Sequence, residues 1–219
     1  MTLILILLLI FLLPLMFMDV MFIALGKLGI DPTLAPFIIF VMLFGSLVNI
    51  PIVRESIIKP VLRCPPNILR FERYWPNRKQ HTTECIIAIN VGGFVIPMLL
   101  VIYEISLIWE QQPSLLLPMG AAVLLNIVLC YLLAQPVPKV GVTLPVFIPG
   151  SVAALSALLL APDMAAPVAF CAGVLGPVVG ADLLNLKLVS KTQVGMASIG
   201  GAGTFDGIVI SGLLAVLLS

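Results

Sequence analysis

Residues 166–190 read "APVAFCAGVLGPVVGADLLNLKLVS", a predominantly apolar run that carries an aspartate, Asp182. A transmembrane helix needs about 20 mostly apolar residues to cross about 30 Å of hydrocarbon, so this stretch predicts a membrane helix. The whole chain is 61% hydrophobic and 10% charged, whereas soluble domains have about 25% charged residues. Several other runs are equally long and apolar. The predicted fold class is therefore all-α, a polytopic membrane protein with about seven transmembrane helices.

The seven predicted helices form a single transmembrane domain over residues 1–219. They cover residues 3–25, 33–53, 86–108, 115–134, 142–160, 166–190 and 196–218. The first run lacks a basic n-region and a clear cleavage site, so it is expected to be a membrane helix rather than a signal peptide.

The basic residues predict the orientation. Seven of the eleven Lys and Arg residues lie between the second and third helices, namely Arg54, Lys59, Arg63, Arg70, Arg73, Arg78 and Lys79. Basic loops stay on the cytoplasmic side of a membrane. The 54–84 loop and the N-terminus are therefore expected to be cytoplasmic, and the C-terminus external.

The expected partner of the basic loop is membrane lipid. The loop either rests at the headgroups as a topology determinant or binds anionic lipid or a cytoplasmic partner. Its basic residues are too interrupted to indicate nucleic acid. The oligomeric state is left open.

Two carboxylates, Asp182 and Asp206, are predicted within membrane helices. A central Asp costs about 2.5–3.5 kcal/mol on insertion scales, so a specific use is expected. The midpoint between the two is Val194. If the sixth helix ends near Ser190 and the seventh begins near Ser198, each Asp lies eight residues, or about 12 Å, along its helix from the turn, and the two reach similar depth. If the sixth helix ends at Leu186, the depths differ by several ångströms. A pair at contact distance would hold one shared proton.

Five other acidic residues are predicted in loops or near the outer ends of helices, where they need less explanation. They are Asp19, Asp31, Glu104, Glu110 and Asp163.

Small and amide side chains accompany the aspartates and are the candidate substrate- or ion-binding residues. They are Gly201, Gly203, Thr204, Gly207, Asn185, Asn49 and Asn90. Small residues allow close helix contact, which explains the glycines equally well by packing alone. The asparagines lie near Gly and Pro, which predicts either kinked helices with interhelical hydrogen bonds or broken helices that present backbone groups to a ligand.

The stretch "GGAGTFDGI" (Gly200–Ile208), with "GADLLNL" upstream, resembles a prokaryotic family of multi-pass membrane proteins of unknown function. The likeness is strongest from about Gly141 onward. It implies a protein of the prokaryotic cell membrane and no particular activity.

The same motifs are similar to those of the Gly-x-Gly-Asp intramembrane aspartyl proteases, of the presenilin and prepilin-peptidase type. In that family, one Asp on a membrane helix faces another in a glycine-rich motif on the next helix. The resemblance implies that Asp182 and Asp206 are catalytic. The chain departs from the motif because Thr204 and Phe205 stand between Gly203 and Asp206.

Three functions are compatible with these features. The first is an intramembrane aspartyl endopeptidase, in which one Asp activates water, the other acts as acid, and Gly203 and Gly207 admit an extended, membrane-embedded peptide. The second is a small proton- or cation-coupled transporter that uses the same Asp pair with the asparagines. The third is a non-catalytic membrane scaffold.

No cofactor or metal is expected. Cys64, His81 and Cys85 do not fit a zinc-ligand spacing, and the sequence has no phosphate-binding loop or haem-ligand pair.

Overall fold

The computed structural model describes residues 2–59, 81–137, 141–145, 147–186, 195–201 and 206–219. Within these ranges the chain is mostly helical, with a small amount of β-structure. The α-helices are α1 (Thr2–Lys27), α2 (Ala35–Gly45), α3 (Ile96–Gln111), α4 (Leu116–Leu133), α5 (Phe147–Leu160), α6 (Ala165–Leu175) and α7 (Gly207–Leu218). Two π-helical segments, π1 (Val91–Val95) and π2 (Gly176–Leu183), extend α3 at its start and α6 at its end.

Among the described residues, three helical segments are long and apolar enough to cross a membrane: Val91–Gln111, Pro113–Leu133 and Pro162–Leu183. Each has 21 or 22 residues, which is about 32 Å at 1.5 Å per residue and matches the hydrocarbon thickness. The structure is therefore that of a membrane protein. The helices α2, α5 and α7 are apolar but shorter, so the count of seven spans and the cytoplasmic side stay predictions.

Five strands lie at the ends of the helices in the described ranges, and they correct the all-α prediction. A three-stranded sheet has the order β1-β2-β5, with β1 (Asn49–Lys59), β2 (His81–Asn90) and β5 (Gly195–Ile199). β1 and β2 are antiparallel, and β2 and β5 are parallel. A second hairpin joins β3 (Gln135–Val137) and β4 (Gly141–Thr143).

These strands shorten four of the predicted helices. The run 33–53 is helical only as α2 and continues into β1, and the run 86–108 begins in β2. The run 142–160 begins in β4, with α5 starting at Phe147, and the run 196–218 begins in β5, with α7 starting at Gly207. β1 and β2 are rich in Ile, Val and Thr, which suit strands. Hydropathy measures only apolar content, so it did not separate these strands from the helices beside them.

The predicted basic loop is partly described. Its two flanks are β1 and β2, while residues 60–80 lie outside the described residues, together with Cys64 and five of the seven clustered cations.

The helix α6, with its extension π2, forms the centre of the core. It packs against α3, α4, α5 and α7, and Val168, Cys171 and Val174 are fully buried. Small residues allow these close contacts: a Cβ added at Gly173 would lie 2.9 Å from the carbonyl oxygen of Ser211 on α7. The outward faces carry large apolar side chains such as Leu117, as expected for surfaces that face lipid.

The two ends of the helix bundle are marked by specific contacts. At one end, the ammonium group of Lys27 donates to the carbonyl oxygens of Val216 and Leu217, at 3.2 and 3.1 Å, where a cation is favoured by the C-terminal end of α7. At the other end, Gly200, with φ +68°, packs directly on the backbone of Gly93. The sheet and the start of α7 therefore share one end of the bundle.

Candidate functional site

Asp182 lies near the end of π2, where the regular helix of α6 has widened. Pro177 in the first turn of π2 lacks a backbone N–H, and a π-helical segment accommodates such an interruption. Gly180 brings π2 against α4, where an added Cβ would lie 2.9 Å from the Cβ of Cys130. Asp182 is partly buried, and it is close enough to Cys130 to interact with it electrostatically.

Asp206 is placed at the start of α7 rather than within a helix. Its backbone is extended, with φ −71° and ψ 153°, and its Oδ2 accepts a long hydrogen bond of 3.5 Å from the amide of Ile208. This is the N-cap arrangement, in which a carboxylate satisfies a free helix N–H and faces the positive end of the helix dipole. Asp206 is partly buried.

Asp182 and Asp206 lie on elements that pack together. π2 ends at the same end of the bundle at which α7 begins, so both aspartates lie toward this end. The prediction of two helix-embedded groups is corrected in one respect, because Asp206 lies at the start of α7 rather than inside a helix. The pairing of the two carboxylates stays a prediction. Their catalytic role stays a prediction.

The candidates Asn49 and Asn90 are hydrogen-bonded to each other where the sheet joins the helices. The Asn90 side-chain amide donates to Asn49 Oδ1 at 3.1 Å and to the Ser46 carbonyl at 2.6 Å. Asn90 Oδ1 accepts from the Gly93 amide at 2.8 Å. The hydroxyl of Ser198 also donates to Asn49 Oδ1, at 2.6 Å.

This cluster, Asn49–Asn90–Ser198, links β1, β2 and β5. Sequence reasoning missed Ser198, whose only signal was a hydroxyl beside the glycine-rich stretch. Because Asn90 is fully buried and both of its amide atoms are bonded, the cluster holds the sheet on the helices.

The other predicted binding residues have different outcomes. Asn185 donates to the carbonyls of Ala181 and Gly180, at 2.9 and 3.3 Å, and closes the end of π2. Gly201 is exposed and its amide donates to the Ser198 carbonyl. Gly207 is the first residue of α7. Gly203 and Thr204 lie outside the described residues.

Glu104, for which no role was predicted, is the most enclosed carboxylate in the described part of the chain. Its side chain is 0% exposed, and neither carboxylate oxygen has a hydrogen-bond partner among the described residues. The expectation that it lies near an outer boundary missed this burial. The available signal was the helical period, since Pro97, Leu100 and Ile108 repeat on the same buried face of α3.

Asn126 is a second buried polar residue at the core helix. Its side-chain amide donates to the Ala172 carbonyl at 2.8 Å, while its Oδ1 has no partner within the described ranges. Among the described residues, no group of three or more His, Cys, Asp or Glu side chains is arranged to hold a metal ion.

A family model described as "Protein of unknown function (DUF1614)" matches residues 43–218. This agrees with the resemblance to a family of unknown function. No curated protein and no solved structure matches the chain.

Proposed function

Because the chain belongs to the DUF1614 family of proteins of unknown function, we propose a function from its own residues: an intramembrane aspartyl endopeptidase of the prokaryotic cell membrane. The observation that carries the proposal is the placement of two partly buried carboxylates, Asp182 and Asp206, on packed segments at one end of the bundle. Two such groups at contact distance cannot both ionise cheaply, so we propose that the pair holds one proton between them.

A shared proton supplies both roles that peptide hydrolysis needs. The ionised carboxylate removes a proton from water, which adds to the scissile carbonyl carbon, while the protonated carboxyl group donates to the carbonyl oxygen. Collapse of the tetrahedral intermediate breaks the C–N bond, and the leaving amine takes up a proton. The rate is expected to pass through a maximum with pH, because one group must be ionised and the other protonated.

The substrate class follows from the backbone that the peptidase must reach. A membrane-spanning helix has its carbonyls in internal hydrogen bonds, so cleavage requires an extended segment. β5 is one of the two edge strands of the sheet β1-β2-β5 within the described residues, and it precedes Asp206 in the chain. An extended peptide can add to such an edge by main-chain hydrogen bonds, which supports a membrane-embedded peptide as substrate.

The test uses the full chain in liposomes with model transmembrane peptides. Asp206→Asn is preferred to Asp206→Ala, because Asn still caps a helix and only the acid is removed. We expect both Asp206→Asn and Asp182→Asn to lower the cleavage rate by about 100-fold or more. Asp163→Asn, at an exposed position, is the matched control and should leave the rate unchanged. Cleavage that survives the Asp206 replacement contradicts the proposal.

A proton- or cation-coupled transporter is the second candidate, and π2 favours it. Interruptions of membrane helices expose backbone groups that bind ions, and Asp182 lies in such an interruption. A liposome flux assay separates the two functions. Ion flux that Asp182→Asn abolishes, without peptide cleavage by the unmodified chain, identifies a transporter. Neither activity, with normal cellular function after both replacements, identifies a scaffold.

A further inference from the structure

Glu104 carries an inference that does not depend on the Asp pair. The residue lies on the face of α3 that packs on α6. Cys171 on α6 packs against this part of α3, and its sulfur lies 4.0 Å from the carbonyl oxygen of Val101, one helical turn before Glu104. The carboxyl group is thus enclosed between two helices of the membrane core.

The surroundings of Glu104 offer no cation among the described residues. None of α2, α4, α5, α6 and α7 contains Lys or Arg. Lys27, at the end of α1, is bonded to the carbonyls of Val216 and Leu217. The titratable groups on the elements that pack against α3 are Cys171 on α6 together with Cys130 and Tyr131 near the far end of α4.

The depth of Glu104 makes an unpaired charge costly. It is seven residues from the end of α3 at Gln111, about 10 Å along the helix axis. An ionised carboxylate without a partner is strongly disfavoured in an apolar interior, so the enclosed group is carried as the neutral acid.

A second buried polar residue at a similar depth in the bundle, Asn126, indicates where water can reach Glu104. Asn126 approaches α6 at Ala172, the residue after Cys171, and its Oδ1 also has no partner in the described part of the chain. Buried polar atoms without protein partners are commonly satisfied by water. Glu104 and Asn126 therefore mark one polar level in an otherwise apolar core.

We propose that Glu104 is a proton-binding site, which holds its proton in the closed packing of α3 on α6 and exchanges it with water when that packing opens. The site is separate from the Asp pair, since Cys171 precedes Asp182 by eleven positions in the sequence, about 16 Å along a helix.

Infrared spectroscopy of the full chain in lipid vesicles tests this site directly. At neutral pH the difference spectrum between the unmodified protein and Glu104→Gln should show a carboxylic-acid C=O stretch, because any acid band of the Asp182–Asp206 pair is common to both proteins and cancels. This band should shift after transfer to D2O, because an exchangeable proton becomes a deuteron. Glu110→Gln is the matched control: Glu110 lies on the same helix and is exposed, so its replacement should remove carboxylate absorption and leave the acid band unchanged.

Two results overturn the proposal. Loss of carboxylate absorption in Glu104→Gln means that Glu104 is ionised, and an acid band that does not shift in D2O means that its proton is permanently enclosed. Glu104→Asp provides a second variant should the Gln variant fail to fold: it keeps a carboxyl group and should move the band without abolishing it. Because no readout involves cleavage or flux, failure here leaves the proposed peptidase untouched, and the reverse also holds.

Discussion

At the residue scale, the side-chain amide of Asn90 connects several segments of the chain. It bonds to Asn49, to the Ser46 carbonyl and to the Gly93 amide, and so connects both strands of the β1–β2 pair with the turn after α2 and the start of π1. The sequence indicated Asn90 because it stands beside two glycines in an apolar run. It left open whether the amide binds a ligand or the protein, and the structure shows bonds to the protein.

Asn90→Ala is expected to destabilise the protein by about 2–3 kcal/mol, because two backbone groups and the Asn49 oxygen lose a partner and a buried unsatisfied group costs about 1–3 kcal/mol. The measurement is the midpoint of thermal unfolding in detergent. Asn185→Ala is the control, since Asn185 is partly buried and bonds only to carbonyls of its own segment. An equal loss in both variants would contradict the linking role of Asn90.

For the two aspartates, some features were predicted from the sequence and others came only from the structure. Their pairing was predicted from depth, which in a helical hairpin follows from sequence distance and the rise per residue, and it stays a prediction. The N-cap position of Asp206 was not predicted, because hydropathy assigned the whole run 196–218, with Asp206 inside it, to one helix. Asp is both an acid and a preferred N-cap residue, and the backbone conformation at Asp206 is what identifies it as the N-cap of α7.

At the scale of elements, the contact between α2 and π1 depends on Gly92. A Cβ at this position would collide with the Met42 carbonyl oxygen and lie 2.5 Å from the Ser46 amide nitrogen. Both are backbone atoms, so neither moves without moving a helix. The glycines beside Asn90 are therefore required in part by helix contact, which was the packing alternative to a ligand site.

Gly92→Ala is expected to destabilise the protein by about 1–3 kcal/mol, the usual range for overpacking. Gly120→Ala is the matched control: Gly120 lies in α4 with nothing within 4 Å of an added Cβ, and Ala is favoured over Gly in helices by about 0.5–1 kcal/mol. Thermal unfolding should move in opposite directions for the two variants. A stable Gly92→Ala protein would show that α2 and π1 are not in close contact.

At the scale of the whole molecule, the described contacts show which segments lie at each of the two ends of the helix bundle. Lys27 and the end of α7 share one end of the bundle, and the sheet, with the start of α7, shares the other. The alternation of the predicted helices requires the same grouping. The basic residues predict that the sheet end is cytoplasmic.

Reporter fusions test this orientation in cells. Alkaline phosphatase is active only when exported, so a fusion to the C-terminus should be active and a fusion after residue 78 should be inactive. A fluorescent protein that folds only in the cytoplasm should give the reverse pattern. Equal phosphatase activity at both positions would contradict an odd number of spans between them.

The membrane-spanning helices and the helical core could be predicted from composition and run length, because each depends on properties along the chain, whereas the pairing of Asp182 with Asp206 stays a prediction. The strands β1, β2 and β5 could not, since an apolar segment becomes a strand only when a distant segment pairs with it. The burial of Glu104 could be predicted only in part: the helical period marks its face of α3, but that face is buried by packing on α6, which lies more than fifty residues away in the sequence. Interactions between distant segments therefore decided where helices stop and which acid is hidden from water.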